Sequence, residues 1–330
     1  MERSLSLIKS QKDQKRNSLI EVLRFLMAIS VLVFHGFMPF ANLALEWRLL
    51  DMGQTCVSVD FFLLLSGYLF FTSLKETENL TLGKGLLKLL GKRIKRLGLP
   101  FLVALGFATY NVIYFEHIGW YFGYLWFIPV IIGAEVILYL LVRLIKNKWV
   151  FIAILLVCGI AGYAYFYSFP PSYHLYPQGG YNIYFDGLWS PFGYPLRGIA
   201  GVFLGCLLNF VPKINNQIIR KASALFAFAA VIFVSFTIFF PFKEQLLLVL
   251  FAFSIYALFQ IEFSFPIFNF LGAISFGLYI FQTLGSTLRS AEGVGPVVTL
   301  IVIIAMSIVS QPKAFYEIFA KPKMKIEKSI

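Results

Sequence analysis

Apolar residues fall along this chain in ten runs of about 17 or more residues, each long enough for a membrane-spanning helix. The runs lie near Leu19–Phe40, Val57–Leu74, Leu97–Phe115, Tyr121–Val142, Trp149–Phe169, Tyr194–Val211, Ala222–Phe240, Gln245–Ile261, Ile267–Leu288 and Val294–Ser310. The eighth is the shortest. This pattern predicts an all-α, polytopic membrane domain of about ten transmembrane helices over residues 19–312, between basic tails at 1–18 and 313–330. Of the 28 lysines and arginines, 23 fall in the two tails and in the stretches 75–96, 143–148 and 213–221. Arg48, Lys243 and Arg289 fall on the opposite side. Cytoplasmic loops carry the excess of positive charge, so both termini are expected in the cytoplasm.

Composition agrees, since 59% of the 330 residues are hydrophobic and only 13% are charged, against about a quarter charged in soluble domains. The net charge of +12 does not point to nucleic acid, because the basic residues alternate with membrane-length segments. Membrane lipid is the expected partner. Cys56, Cys158 and Cys206 lie far apart without a C-x-x-C spacing, so neither a metal site nor a disulfide framework is expected. The first hydrophobic run is too long for a signal-peptide core and lacks a small-residue cleavage pattern, so it is expected to remain as the first span.

Several charged residues interrupt these apolar runs. Arg24 and His35 both lie in the first span, and eleven residues of helix bring His35 to within about 20° of Arg24 and about 16 Å further along. Ionisable groups at such depth are costly unless they face an interior or a water-filled cavity, which makes the pair a candidate site. Ser18 and Glu21 have capping-box spacing at the start of this span; the alternative is that Glu21 forms a salt bridge to Arg24. Asp60, near the outer end of the second span, lies at a depth similar to that of His35. Either it orients the imidazole, as the acid of a catalytic triad does, or it simply ends a helix. Ser66-Gly67 lacks the glycine pattern of a nucleophile elbow and reads as a small-residue packing notch.

Arg93 and Arg96, three apart, share a helical face where the third span begins. Guanidinium groups bind phosphates bidentately, while any cytoplasmic loop is basic and touches anionic lipid; both readings stand. Asn111 and Glu135 each lie inside a span, either lining a cavity or hydrogen-bonded between helices. The outer connection from Ser168 to Pro195 carries His174 and Asp186 among many Tyr, Trp, Pro and Gly residues. Such a surface suits a carbohydrate, and equally a membrane interface. Arg197, at the outer start of the sixth span, either contacts an acceptor or snorkels to the surface.

Taken together, LRFLMAISVLVFH from Leu23 to His35, VDFFLLLSGYLF from Val59, the Arg93-x-x-Arg96 pair, LWFIPV from Leu125, YPLRGIAGVFLG from Tyr194 and LGAISFGLYIF from Leu271 resemble bacterial acyltransferase family 3. The members of that family O-acetylate surface polysaccharides and related acceptors. The resemblance implies that Arg24, His35, Arg93 and Arg96 are the functional groups. One departure stands out, because the ninth-span motif usually ends in histidine where this chain has Gln282. The extracytoplasmic domain that longer relatives carry is also absent from this sequence.

The expectation is therefore a multi-pass O-acyltransferase of the bacterial cytoplasmic membrane, moving an acyl group, foremost acetyl, from acyl-CoA to a hydroxyl of a surface or lipid-linked glycan. Arg93, Arg96 and Arg24 would hold the acetyl-CoA donor. His35 would serve as general base or transient acyl carrier, with Asp60 orienting it. A proton- or solute-coupled transporter is the rival, since a polar stripe across a membrane also suits a relay. The chain shows no inverted repeat and no matched pair of Gly/Pro-broken helices.

Overall fold

The computed structural model describes residues 17–34, 57–115, 125–168, 190–237, 242–282, 284, 285, 288 and 295–311. His35, His174, Asp186, Cys56 and residues 1–16 and 312–330 lie outside the described residues. Also outside are the side chains of Arg96 and Asn111.

Every one of the ten apolar runs contains an α-helix. In chain order they are α1 (Ser18–Phe34), α2 (Ser58–Lys75), α3 (Leu82–Phe115), α4 (Phe127–Leu144), α5 (Lys148–Tyr167), α6 (Ser190–Leu207), α7 (Gln217–Phe236), α8 (Lys243–Leu258), α9 (Pro266–Ile280) and α10 (Pro296–Val309). Four of them, α2, α4, α5 and α7, are by length and composition alone long and apolar enough to cross a membrane. Shorter apolar segments run through α3, α6, α9 and α10. Large hydrophobic side chains such as Phe226, Phe233, Val249 and Ile301 are exposed, as expected of a surface solvated by lipid rather than by water.

Helix starts follow local chemistry. Asn147 caps α5 by accepting from the backbone N–H groups of Trp149 and Val150, and Asn216 caps α7 through Ile218 and Ile219. Proline occupies the opening turn of α9 and α10, where its missing N–H costs nothing. At α1 the capping residue is Asn17 and not Ser18 as the sequence suggested. Asn17 Oδ1 accepts from Leu19 N at 2.9 Å, while its Nδ2 donates to Leu258 O and Ile261 O at 2.6 and 2.8 Å. Ser18 is thereby released to bond Phe265 N and Asn269 Oδ1. One polar dipeptide thus ties the start of α1 to the end of α8 and the start of α9. The third helix begins fifteen residues before its expected span, at Leu82. Pro100 marks where its basic, amphipathic first half gives way to the apolar second.

The contacts fix relative directions. Ser18 meets Asn269 and Glu21 meets Gly272, so α1 and α9 run parallel. Ser30 bonds Ser58 at 2.8 Å, and α1 and α2 are antiparallel. At the centre, α2 packs in parallel on α6. A Cβ on Gly67 would come within 1.9 Å of Val202 O, and one on Gly205 within 2.0 Å of Leu64 O. The two backbones touch directly, which only glycine permits, and the Gly67 notch read from the sequence is confirmed. Further glycines, Gly159 and Gly162, let α5 close on the other side of α6.

Alanine at Gly67 or Gly205 should cost about 3 kcal/mol or more of stability, since backbone rather than a movable side chain fills the space. Gly91 has nothing within 4 Å of its Cβ position. Alanine there should raise stability by about 0.5–1 kcal/mol through helix propensity. Thermal unfolding of the detergent-purified variants checks both. Equal effects at Gly67 and Gly91 would contradict the packing described.

Candidate functional site

Two polar layers cross the helix interior. In the first, Arg93 on α3 makes a paired contact with Glu135 on α4, Nε to Oε2 at 2.6 Å and Nη2 to Oε1 at 2.5 Å. Ser66 on α2 donates to the same carboxylate at 3.1 Å. The Glu135 side chain is 1% exposed and that of Arg93 13%, so three helices converge on one desolvated ion pair. Arg24 on α1 is held at 2.7 Å by Glu21, one turn back along the same helix, and the Glu21 carboxylate lies against Gly272 of α9. The antiparallel register set by Ser30 and Ser58 puts Ser66 level with Val22. Both ion pairs therefore occupy the same depth.

Glu21 thus takes the salt-bridge role and not the capping-box role expected from its spacing to Ser18. Glu135, which the sequence left as either a cavity-lining group or an interhelical bonding group, is an ion-pair partner. Arg24 contributes only Nη1 to Glu21, and Arg93 only Nε and Nη2 to Glu135. Among the described residues the remaining N–H groups of these two guanidiniums donate to nothing. Such an edge suits a phosphate or carboxylate oxygen. Just beyond this layer, Lys92 donates to Glu76, and that hydrogen bond holds the Glu76 carboxyl below the usual carboxylate range.

The second layer lies six residues, about 9 Å, further along α2. Here Arg197 of α6 donates to Asp60 through Nε at 3.0 Å and Nη2 at 2.6 Å, and Tyr163 of α5 donates its hydroxyl to Asp60 at 2.7 Å. Phe166 stacks under the guanidinium, 4.7 Å from ring centre to Arg197 Cζ. Arg197 is 1% exposed and Asp60 is fully buried. Snorkelling, one of the two sequence readings of Arg197, is therefore ruled out. The direct approach of α2 to α6 brings Asp60 and Arg197 together, since the Gly67 and Gly205 contacts fix the register in which they meet.

Of the expected site residues, Arg24 and Arg93 share the first layer and Asp60 stands in the second. His35 and the Arg96 side chain lie outside the described residues, and with them the expected pairing of Asp60 with His35. Sequence reasoning missed Arg197 and Tyr163 as partners of Asp60. Matching depths would have suggested the first, since Asp60 and Arg197 each stand a few residues inside the same end of their helices. Among the described residues no cluster of three or more His, Cys, Asp or Glu residues has the arrangement of a metal site.

A family model described as an acyltransferase domain matches residues 17–311. The chain belongs to acyltransferase family 3 and is a multi-pass membrane protein with an acyltransferase domain. Neither a curated protein nor a solved structure matches it.

Removing one partner of a buried ion pair strands the other charge, so Asp60→Asn and Arg197→Met should each cost about 3–5 kcal/mol. The double variant Asp60→Leu with Arg197→Met should recover most of that loss, because no charge is left behind. Thermal unfolding of the three proteins in detergent is the check, and additive losses would argue against the pair.

Proposed function

We propose that this membrane acyltransferase carries an acetyl group from acetyl-CoA, taken up at the cytoplasmic face of a bacterial membrane, to a hydroxyl of a surface or lipid-linked glycan. The observation that carries this reading is the first polar layer, in a chain whose family performs acyl transfer. Arg24 and Arg93, preorganised by Glu21 and Glu135, each present guanidinium N–H groups to an anion. Arg96, three residues from Arg93, extends the same helical face. A CoA thioester brings phosphates, for which bidentate guanidinium contacts are well suited.

The acyl chemistry falls to His35, which takes the proton of the acceptor hydroxyl as its oxygen attacks the thioester carbonyl. The carbon–sulfur bond then breaks, and the proton leaves with the thiolate. A two-step course, through an acyl group carried on the imidazole, uses the same residue. A carboxylate has about four acceptor sites, and Asp60 fills three of them with Arg197 and Tyr163. One is left for a further N–H donor.

The test supplies labelled acetyl-CoA and extracted cell-surface glycan to membranes holding the wild type, His35→Ala, or Arg93→Ala combined with Glu135→Gln. The last pairing avoids stranding a buried carboxylate. Label should enter the glycan with the wild type and fall by about 10²–10⁴-fold in His35→Ala, the range of a lost general base. The arginine variant should show a raised KM for acetyl-CoA. Equal transfer by all three proteins would remove these residues from the mechanism, and solute flux without transfer would favour a transporter.

A further inference from the structure

Gln282 follows the last residues of α9 and is fully buried. Among the described residues, neither its Nε2 nor its Oε1 has a hydrogen-bond partner. An amide shut away from water without partners costs several kcal/mol in an apolar medium, so a folded protein rarely keeps one idle. Its place in the fold is defined. α9 runs parallel to α1 with Asn269 beside Ser18 and Gly272 beside Glu21, a register that puts Gln282 level with Val31, in the closing turn of α1. Along α9 it lies close to the face of Ser275 and Tyr279, seven and three residues earlier. The Tyr279 ring packs on Phe62 of α2 and Phe127 of α4, so this face looks into the interior. Gln282 stands about 10 Å beyond the level of Arg24 and about 4 Å beyond that of Asp60.

We infer that Gln282 binds the hydroxyl-bearing acceptor, its Oε1 accepting from one hydroxyl and its Nε2 donating to a neighbouring oxygen. The chemistry of the amide selects this ligand over the thioester group of the donor. A thioester carbonyl accepts but never donates, and would leave Oε1 without a partner. Two adjacent hydroxyls of a saccharide satisfy both halves of the amide. The amide is also neutral and stands about 10 Å in depth from the layer of Arg24 and Arg93, as suits an uncharged ligand meeting a donor that is held by its phosphates. This inference rests on the acyl-transfer reading for its role in the reaction, though binding itself is measurable without turnover.

The experiment compares the wild type, Gln282→Met and Gln282→His in purified form, with a methyl hexopyranoside as probe. Thermal stabilisation by the hexoside and acetyl transfer to it from acetyl-CoA are both recorded. Methionine matches the shape and removes both polar atoms, so the unliganded variant should melt no lower than the wild type. It should lose hexoside-dependent stabilisation and raise the hexoside KM at least about tenfold, with the acetyl-CoA KM unchanged. Histidine, which keeps one donor and one acceptor, should lie between the two. If the hexoside stabilises all three proteins alike, or none, or if the donor KM moves instead, the inference is overturned. Hexoside stabilisation that is lost in Gln282→Met, with no transfer by the wild type, would sustain the binding site and overturn the acyl-transfer reading instead.

Discussion

An ionised side chain held away from water survives only where a counter-charge or a set of hydrogen bonds replaces its hydration, and that constraint organises this membrane domain. Arg197 and Asp60 are the sharpest instance. The arginine is 1% exposed, and its guanidinium faces a carboxylate on one side and the Phe166 ring on another. Removing either charge would strand the other in that interior. Arg93 and Glu135 repeat the arrangement between α3 and α4, with Ser66 joining from α2. Lys243 solves the same problem locally, because its buried ammonium donates to the carbonyls of Ser235 and Thr237 at the end of α7.

Charge pairing holds only if the helices keep register, and small residues supply that. At Gly67 and Gly205 the backbones of α2 and α6 meet with no side chain between them, so neither helix slides without a collision. Asp60 and Arg197 are therefore held opposite each other by contacts one to two turns away. On the far side of α2, Phe61 packs edge-on to Phe251 and Tyr68 stacks on Phe259, which carries the same register into α8. The helix that bears Asp60 and Ser66 is thus fixed on both flanks.

The sequence made the helices legible because a membrane-length apolar run is a strong signal that survives any tertiary detail. All ten runs hold a helix. The finer boundaries were harder. Asn17 and Ser18 both have capping chemistry, and only the carbonyls of Leu258 and Ile261, more than 240 residues away, decide for the asparagine. The start of α3 was misplaced because residues 82–96 are amphipathic and basic, below the hydropathy of a span. The charged residues themselves were visible, but their pairings were not. A pattern read helix by helix does not show that Arg93 meets Glu135, or that Arg197 closes on Asp60 and not on the surface. Glu21 was the exception, since its partner Arg24 lies on the same helix and the i,i+3 spacing already offered the bridge.

Paired arginines change what anion binding means at this site. An unpaired guanidinium buried among apolar helices would raise the cost of the empty state, whereas Glu135 and Glu21 neutralise that cost before any ligand arrives. Two or more N–H groups on each arginine stay unspent among the described residues, so an arriving phosphate adds hydrogen bonds without first breaking the ion pair. The paired contact of Glu135 also fixes the plane of the Arg93 guanidinium, and less side-chain entropy is lost on binding as a result. Since Ser66 and Asp60 share one rigid helix, the Arg93 layer and the Asp60 layer stay about 9 Å apart along its axis. A thioester arm anchored in the first layer would therefore meet a fixed set of groups at the second, and transfer would depend on the arm's reach and not on a rearrangement of α2.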